Sequence, residues 1–211
     1  MRTVVAFDFD GTLTRGDSFW RFLFYCGGIV KVLIAGFSNF FQNLLAIVFP
    51  HKYADSAKEK LVKRILGSRS YSEVDALARS FAGTLIKKRS QHATIERLRW
   101  HQLNGHEIIV VSASPAIYIE PACKLLGIDT VLATNLEIGK DGYLTGRFEG
   151  KNCRGPEKAN RVKEYLNGET VFLWAYGNSA NDNELLYLAN IGIRVDRQNV
   201  SVPPKISSVL V

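Results

Sequence analysis

The sequence predicts an α/β protein: a parallel sheet with helices on both faces, interrupted by an all-helical insertion and carrying one β-hairpin. Three observations predict it. From residue 91 on, short apolar runs alternate with helical segments, the pattern of a parallel sheet. Residues Thr3 to Phe9 form an apolar strand that stands alone at the start of the chain. Between this strand and the alternating part lie roughly 75 residues with helical periodicity and no convincing strand. The simplest arrangement joins residues 1–15 and 91–211 into one α/β core and makes residues 16–90 a helical cap over the sheet's carboxyl edge. Open α/β sheets bind ligands at that edge.

Taken in order, Thr3 to Phe9 is mostly apolar up to Asp8 and reads as a strand buried on both faces. The insertion breaks at Gly27-Gly28, at Pro50 and at Gly67. Thr94 to Leu103 reads as a helix closed by Gly105. Glu107 to Val111 is a second buried strand. Pro115 to Leu126 is a helix opened by a proline and ended by Gly127. Val131 to Thr134 is a short strand, and Leu136 to Phe148 a hairpin turning at Lys140-Asp141-Gly142. Pro156 to Leu166 is a helix, Thr170 to Tyr176 a third buried strand, Asn181 to Ala189 a helix, and Ile191 to Val195 a last strand.

The 211 residues carry 27 Lys and Arg against 20 Asp and Glu. The whole excess falls between Gly16 and Ser90, where 12 basic residues face 5 acidic ones. A localised basic excess suits anionic partners. Nucleic acid is not expected, because the aromatics of the insertion crowd into apolar runs and do not alternate with basic residues as a stacking platform would. The three cysteines, Cys26, Cys123 and Cys153, form no CxxC pair and no disulfide framework. Together with the absence of a signal-peptide pattern, this predicts a cytoplasmic compartment, with a peripheral place at the inner face of the membrane as an extension. The uncharged run Val32 to Pro50 is near the lower limit for a membrane span. Its polar residues Ser38, Asn39, Gln42 and Asn43 share one arc of a helix. Packing inside a cap, lying in a membrane interface and spanning all stay open for it.

The residues that follow the apolar strands carry the chemistry. Asp8 and Asp10 end the first strand. Ser112, Ala113 and Ser114 follow the second. Asn178 and Asp182 follow the third, and Lys158 opens the helix leading into it. Side chains two apart on a strand point the same way, so Asp8 and Asp10 can face one pocket. Two close carboxylates repel unless a cation or a shared proton compensates. A small set of oxygen ligands suits Mg²⁺, which keeps waters and accepts a phosphate oxygen. Gly11 lets the backbone turn towards a phosphate. Thr12 and Ser112 can hydrogen-bond its oxygens, and Lys158 can neutralise the transferring group.

With these residues in view, the chain resembles the haloacid dehalogenase superfamily. The segments that carry the resemblance are DFDGTLT (Asp8 to Thr14), VVSAS (Val110 to Ser114), GPEK (Gly155 to Lys158) and YGNSANDNELL (Tyr176 to Leu186), in the family's order. The helical insertion between the first two resembles subfamily IB, the phosphoserine-phosphatase-like branch. Segments around Ser112 and Gly142 are similar to bacterial lipid-phosphate and phosphatidylglycerophosphatase-type members. The resemblance implies a Rossmann-like core and Mg²⁺-dependent phosphatase activity. It implies Asp8 as the nucleophile that becomes an aspartyl-phosphate and Asp10 as general acid and then base. Ser112, the Ala113 amide, Ser114 and Lys158 would hold the phosphate. Asp8, the Asp10 carbonyl, Asn178 and Asp182 would hold the metal. The family's fourth motif usually begins Gly-Asp, whereas this chain has Gly177-Asn178, an amide without charge. Asp17 is read either as a substrate-binding acid or as a helix N-cap. The expected substrate is a lipid phosphate met at an anionic membrane. A soluble phosphomonoester and a non-catalytic binding protein are the alternatives.

Overall fold

A computed structural model describes residues 1–38 and 50–196. Its six-stranded sheet comprises β1 (Thr3–Phe7), β2 (Glu107–Pro115), β3 (Thr130–Ile138), β4 (Leu144–Glu149), β5 (Phe172–Gly177) and β6 (Ile191–Arg194), in the spatial order β4-β3-β2-β1-β5-β6. All pairs are parallel except β3 with β4, which form the hairpin. The described helices are α1 (Ser18–Ser38), α2 (Pro50–Leu66), α3 (Tyr71–Arg89), α4 (His92–Leu103), α5 (Ala116–Lys124), α6 (Pro156–Leu166) and α7 (Asn183–Leu188).

Alternation along β1 splits the core. Val5 and Phe7 point to the face covered by Leu98 of α4 and by Tyr118 and Ile119 of α5. Val4 and Ala6 point to the face covered by Val162 of α6 and Leu185 of α7. All four β1 residues are fully buried. Helices α1 to α3 extend the first core, with Phe22, Leu61, Val74 and Phe81 joining Tyr118 in one apolar cluster.

The α/β class and the parallel sheet stand as the sequence predicts, and several boundaries differ. The short strand at Val131 and the first hairpin arm are one strand, β3. Asn135 divides them in the sequence only because it is the exposed residue of a half-buried alternation. Strand β2 runs through Ser112 to Pro115 rather than ending at Val111, with an irregular register against β3 between Ser112 and Pro115. The Gly27-Gly28 break is a change of course within α1, at Gly28 with φ +72°. No helix among the described residues is long and apolar enough to cross a membrane. The amphipathic reading of Val32 to Pro50 lies outside the residues whose side chains are described.

Helix α2 is fastened to the hairpin. Glu59 Oε1 accepts the Phe148 amide at 2.9 Å. Gly146, at φ +83°, lies so close that a Cβ there would sit 2.3 Å from Lys63 Cα. This contact fixes which side of α2 faces the sheet edge.

Candidate active site

The chain reverses its direction of travel across the sheet between β1 and β5. Such a switch point leaves a crevice at the carboxyl ends of the strands. A cleft of about 640 Å³ opens there, lined by Asp8, Asp10, Ser112, Ala113, Lys158 and Asn178 from the sheet side and by Asp17, Phe19, Trp20, Asp55, Lys58 and Leu61 from the helical side. That volume is ordinary for a small-molecule site.

At its floor, Lys158 Nζ donates to Asp8 Oδ1 and to Asp182 Oδ1, each at 2.5 Å. All three side chains are almost fully enclosed. One ammonium therefore serves two carboxylates. Asp182 has the further support, because its Oδ2 accepts the Asn178 and Ser179 amides and the Ser179 hydroxyl at 2.9–3.1 Å. Burial works against its charge, but Lys158 and these donors hold its carboxyl below the usual range. Asp8 receives only Lys158 and the Thr12 hydroxyl, at 3.0 Å. Burial pushes its carboxyl up to about 7, against the pull of Lys158 and with the repulsion of Asp182 and Asp10. Burial alone would lower Lys158, yet the two carboxylates keep it above the usual lysine range.

Asp10 is turned differently. Its Oδ1 accepts the Ser18 amide at 2.7 Å and its Oδ2 the Ser114 hydroxyl at 2.6 Å. Burial raises its carboxyl despite these bonds. Gly11 adopts φ +78°, and a Cβ there would fall 2.1 Å from Asn178 Nδ2, so the glycine makes room for the Asn178 side chain. Gly177 does the same for Asp182, whose Cβ would lie 2.4 Å from an added one.

The structure brings Asp8, Asp10, Gly11, Ser112, Ala113, Ser114, Lys158 and Asn178 around one cleft, with Asp182 fully buried behind its floor on Lys158. One placement differs from expectation. Thr12 is fully buried and spends its hydroxyl on Asp8, not on the cleft. Asp17 lines the cleft and also caps α1, accepting the Phe19 amide at 2.8 Å.

One expectation is corrected. The positive excess between Gly16 and Ser90 reads as an outward basic surface for anionic partners, and Lys58 belongs to it. Its ammonium instead points inward, donates to the Ala113 carbonyl at 2.6 Å and sits 4.6 Å from the Phe19 ring centre. The reason is the docking of α2 on the hairpin, which turns this side of the helix to the cleft. Burial lowers Lys58 to about 8. The sequence reading also missed Asp55, Asn152 and Arg154 at the cleft. For Arg154 a signal existed, since it lies four residues before Lys158; Asp55 and Asn152 offered none.

Among the described residues no three of His, Cys, Asp or Glu converge on one point. The oxygens of Asp8, Asp182 and Asn178 and the Asp10 carbonyl are nonetheless all hard ligands. Two carboxylates sharing one ammonium leave negative charge uncompensated, and the Asn178 amide fills the cradle at Gly11. These residues fit a hard divalent cation held partly by side chains and partly by water.

The chain matches the haloacid dehalogenase-like hydrolase family over residues 5–186 and belongs to it. It is 31% identical over 187 residues to Protein CicA of Caulobacter vibrioides, covering 89% of this chain and 83% of that one. It is 28% identical over 207 residues to a histidinol-phosphatase of Neisseria meningitidis, covering 93% and 91%. A crystal structure of a Bordetella pertussis protein of unknown function superposes with a TM-score of 0.73 at 24% identity, covering 88% of this chain and 86% of that one. The chain is a hydrolase with the superfamily's sheet and helical insertion.

Proposed function

We propose that this hydrolase is a Mg²⁺-dependent phosphatase that cleaves a phosphate monoester through an aspartyl-phosphate on Asp8. The observation that carries the reading is the division of labour between two buried acids: Asp8 bound to Lys158, and Asp10 held apart by Ser18 and Ser114.

In this reading an Asp8 oxygen attacks phosphorus, and the bond from phosphorus to the ester oxygen breaks. Asp10, whose carboxyl burial raises, gives a proton to the departing oxygen. Asp10 then takes a proton from water, whose oxygen attacks phosphorus and releases Asp8 and inorganic phosphate. Ser112 and the Ala113 amide bind the phosphoryl oxygens, and Lys158 compensates charge on the transferring group. Bound Mg²⁺, held by Asp8, the Asp10 carbonyl, Asn178 and Asp182, would supply charge neutralisation for the phosphoryl oxygens. Helices α1 to α3 form the cap that encloses the leaving group.

For the leaving group, the apolar stretch of Phe19, Trp20, Ala57 and Leu61 supports an ester with an apolar portion. A lipid phosphate taken at an anionic membrane surface is the first reading, also favoured by the exposed Trp20, Tyr25 and Ile29 on α1. A soluble phosphomonoester is the second, favoured by Asp17 and Asp55 in the cleft and by the histidinol-phosphatase relative. A screen of the purified protein against lipid and soluble phosphomonoesters, with and without liposomes and with and without chelator, tests both. Chelator-sensitive release of phosphate is expected. No release from any ester would overturn the phosphatase reading, and equal rates with and without liposomes would overturn the membrane one.

A further inference from the structure

The loop Ser112–Ser114 has two tasks in the reading above: Ser112 faces the phosphoryl group and Ser114 holds Asp10. Both depend on one peptide plane, that between Ala113 and Ser114. Its N–H donates to Ser112 Oγ at 3.1 Å. This fills a lone pair of the hydroxyl and leaves its proton for an acceptor in the cleft. The carbonyl of the same peptide receives two donors, Lys58 Nζ at 2.6 Å and Thr134 Oγ1 at 3.2 Å. The ladder between β2 and β3 is irregular over this stretch, so these side chains replace regular strand pairing.

The two donors come from different parts of the fold and are linked behind the loop. Thr134, on β3, is fully buried. Its hydroxyl donates to Asn152 Oδ1 at 2.8 Å, sharing its one proton with the longer Ala113 contact, and accepts the Cys153 amide at 3.0 Å. Asn152 in turn donates to Asp55 Oδ1 at 2.6 Å. Asp55 lies three residues before Lys58 on α2. A ring of polar contacts therefore leaves α2 at Asp55, passes through Asn152 and Thr134 to the Ala113 carbonyl, and returns to α2 at Lys58.

We propose that Thr134 and Lys58 are positioning residues. By donating to one carbonyl they fix the peptide that aims Ser112 at the phosphoryl group and Ser114 at Asp10, and they make that aim depend on how α2 is seated. Neither residue is a nucleophile or a proton carrier in this scheme. The inference rests on the phosphatase reading, since it concerns the phosphate loop of that site. A purely structural role for the same bonds would satisfy buried polar groups. It would cost stability without touching turnover.

The experiment is a double-mutant cycle on the full chain, with Thr134→Val, Lys58→Met and the pair, and with Thr134→Ser as the conservative control. Affinity for inorganic phosphate is measured by calorimetry, and kcat and KM with p-nitrophenyl phosphate. Thr134→Val should weaken phosphate binding about tenfold, as loss of one polar contact does. Its kcat should fall by at least as much, and Thr134→Ser should restore both. The pair should be no worse than Lys58→Met alone, because both residues act through one carbonyl. Multiplying losses would mean that Lys58 acts only as a charge near the phosphate, and would overturn the proposal. So would Thr134→Val with a lowered melting temperature but unchanged kcat and phosphate affinity. If the wild type binds phosphate but cleaves no ester, the phosphatase reading fails while the affinity cycle still decides this proposal.

Discussion

The floor and the helical side of the cleft are built on different physical terms. On the floor, Asp8, Lys158 and Asp182 are almost wholly removed from water and joined at 2.5 Å. Such groups tolerate little change, because removing one partner leaves a buried charge uncompensated. On the helical side, Phe19, Leu61 and the half-exposed Trp20 stand beside Asp17, Asp55 and Lys58. There apolar area mixes with the exposed acids Asp17 and Asp55, where single changes are absorbed, and Lys58 alone is turned inward onto the Ala113 carbonyl. In the proposed function the difference separates chemistry from selectivity: the floor would set what bond is cleaved, and the helices which molecule is admitted.

The sharpest way to test this division is to alter the floor. Asp8→Asn should abolish turnover of every phosphomonoester, while circular dichroism shows the wild-type fold. Measurable turnover near the wild-type rate would break the comparison at its centre. Asp10→Asn should slow turnover by about 10²–10⁴-fold, the usual range for a lost acid–base group. Rapid-quench kinetics should find both formation and decay of the phosphoenzyme slowed.

A change on the helical side should act on selectivity. Trp20→Ala should raise KM for an ester with an apolar leaving group by about tenfold, in line with the loss of a large apolar contact. It should leave kcat for p-nitrophenyl phosphate within about a factor of three. A comparable loss on both substrates would erase the distinction between the two sides. A smaller effect is expected from Asn178→Asp, which restores a charged oxygen beside Gly11. The Mg²⁺ concentration giving half-maximal activity should drop several-fold, and an unchanged value would mean that residue 178 does not touch the metal.

The gentlest test lies beneath the floor. His101 Nε2 is 2.8 Å from the Tyr176 hydroxyl, and the Tyr176 carbonyl accepts the Asp8 amide at 2.8 Å. Burial, with His106 and Arg97 nearby, lowers His101 to about 3. Between its unfolded value near 6.5 and about 3, the unfolded chain binds a proton that the folded one refuses. Stability therefore falls as pH drops through that window and is flat above it for this group. The urea midpoint should decline from pH 6.5 to 4, and His101→Gln should flatten that slope without changing kcat at neutral pH.

The same contrast governs how much could be read from the sequence. The floor was legible because each functional residue follows an apolar run, and the end of a buried strand can be found from local pattern alone. Asp8, Ser112 and Asn178 each stand at such an end. Lys158 was legible only beside the other sets, since a lone lysine at a helix start has no local signature. The helical side was largely illegible. Lys58 shares α2 with Lys60, Lys63 and Arg64, and nothing in that spacing says which one turns inward. The direction is set by Glu59 on the Phe148 amide and by Gly146 against Lys63, contacts between segments far apart in the chain. The ring through Thr134 and Asn152 is hidden for the same reason: its members lie on separate elements and are ordinary polar residues in isolation.

The central position of β1 has a consequence for how the protein comes into being. Phe7 is paired with Val110 on one side and with Tyr176 on the other. This strand is made before either partner, and both arrive much later in the chain. Contacts of such long sequence separation slow folding. Until β5 is synthesised, one edge of β1 has no partner, and an apolar strand with an open edge invites pairing with another chain. Fragments that stop before residue 172 should therefore aggregate rather than show partial activity. In refolding from denaturant, helical signal should return before catalysis does, because Asp8 is in place only once the strand carrying Tyr176 has closed beside it.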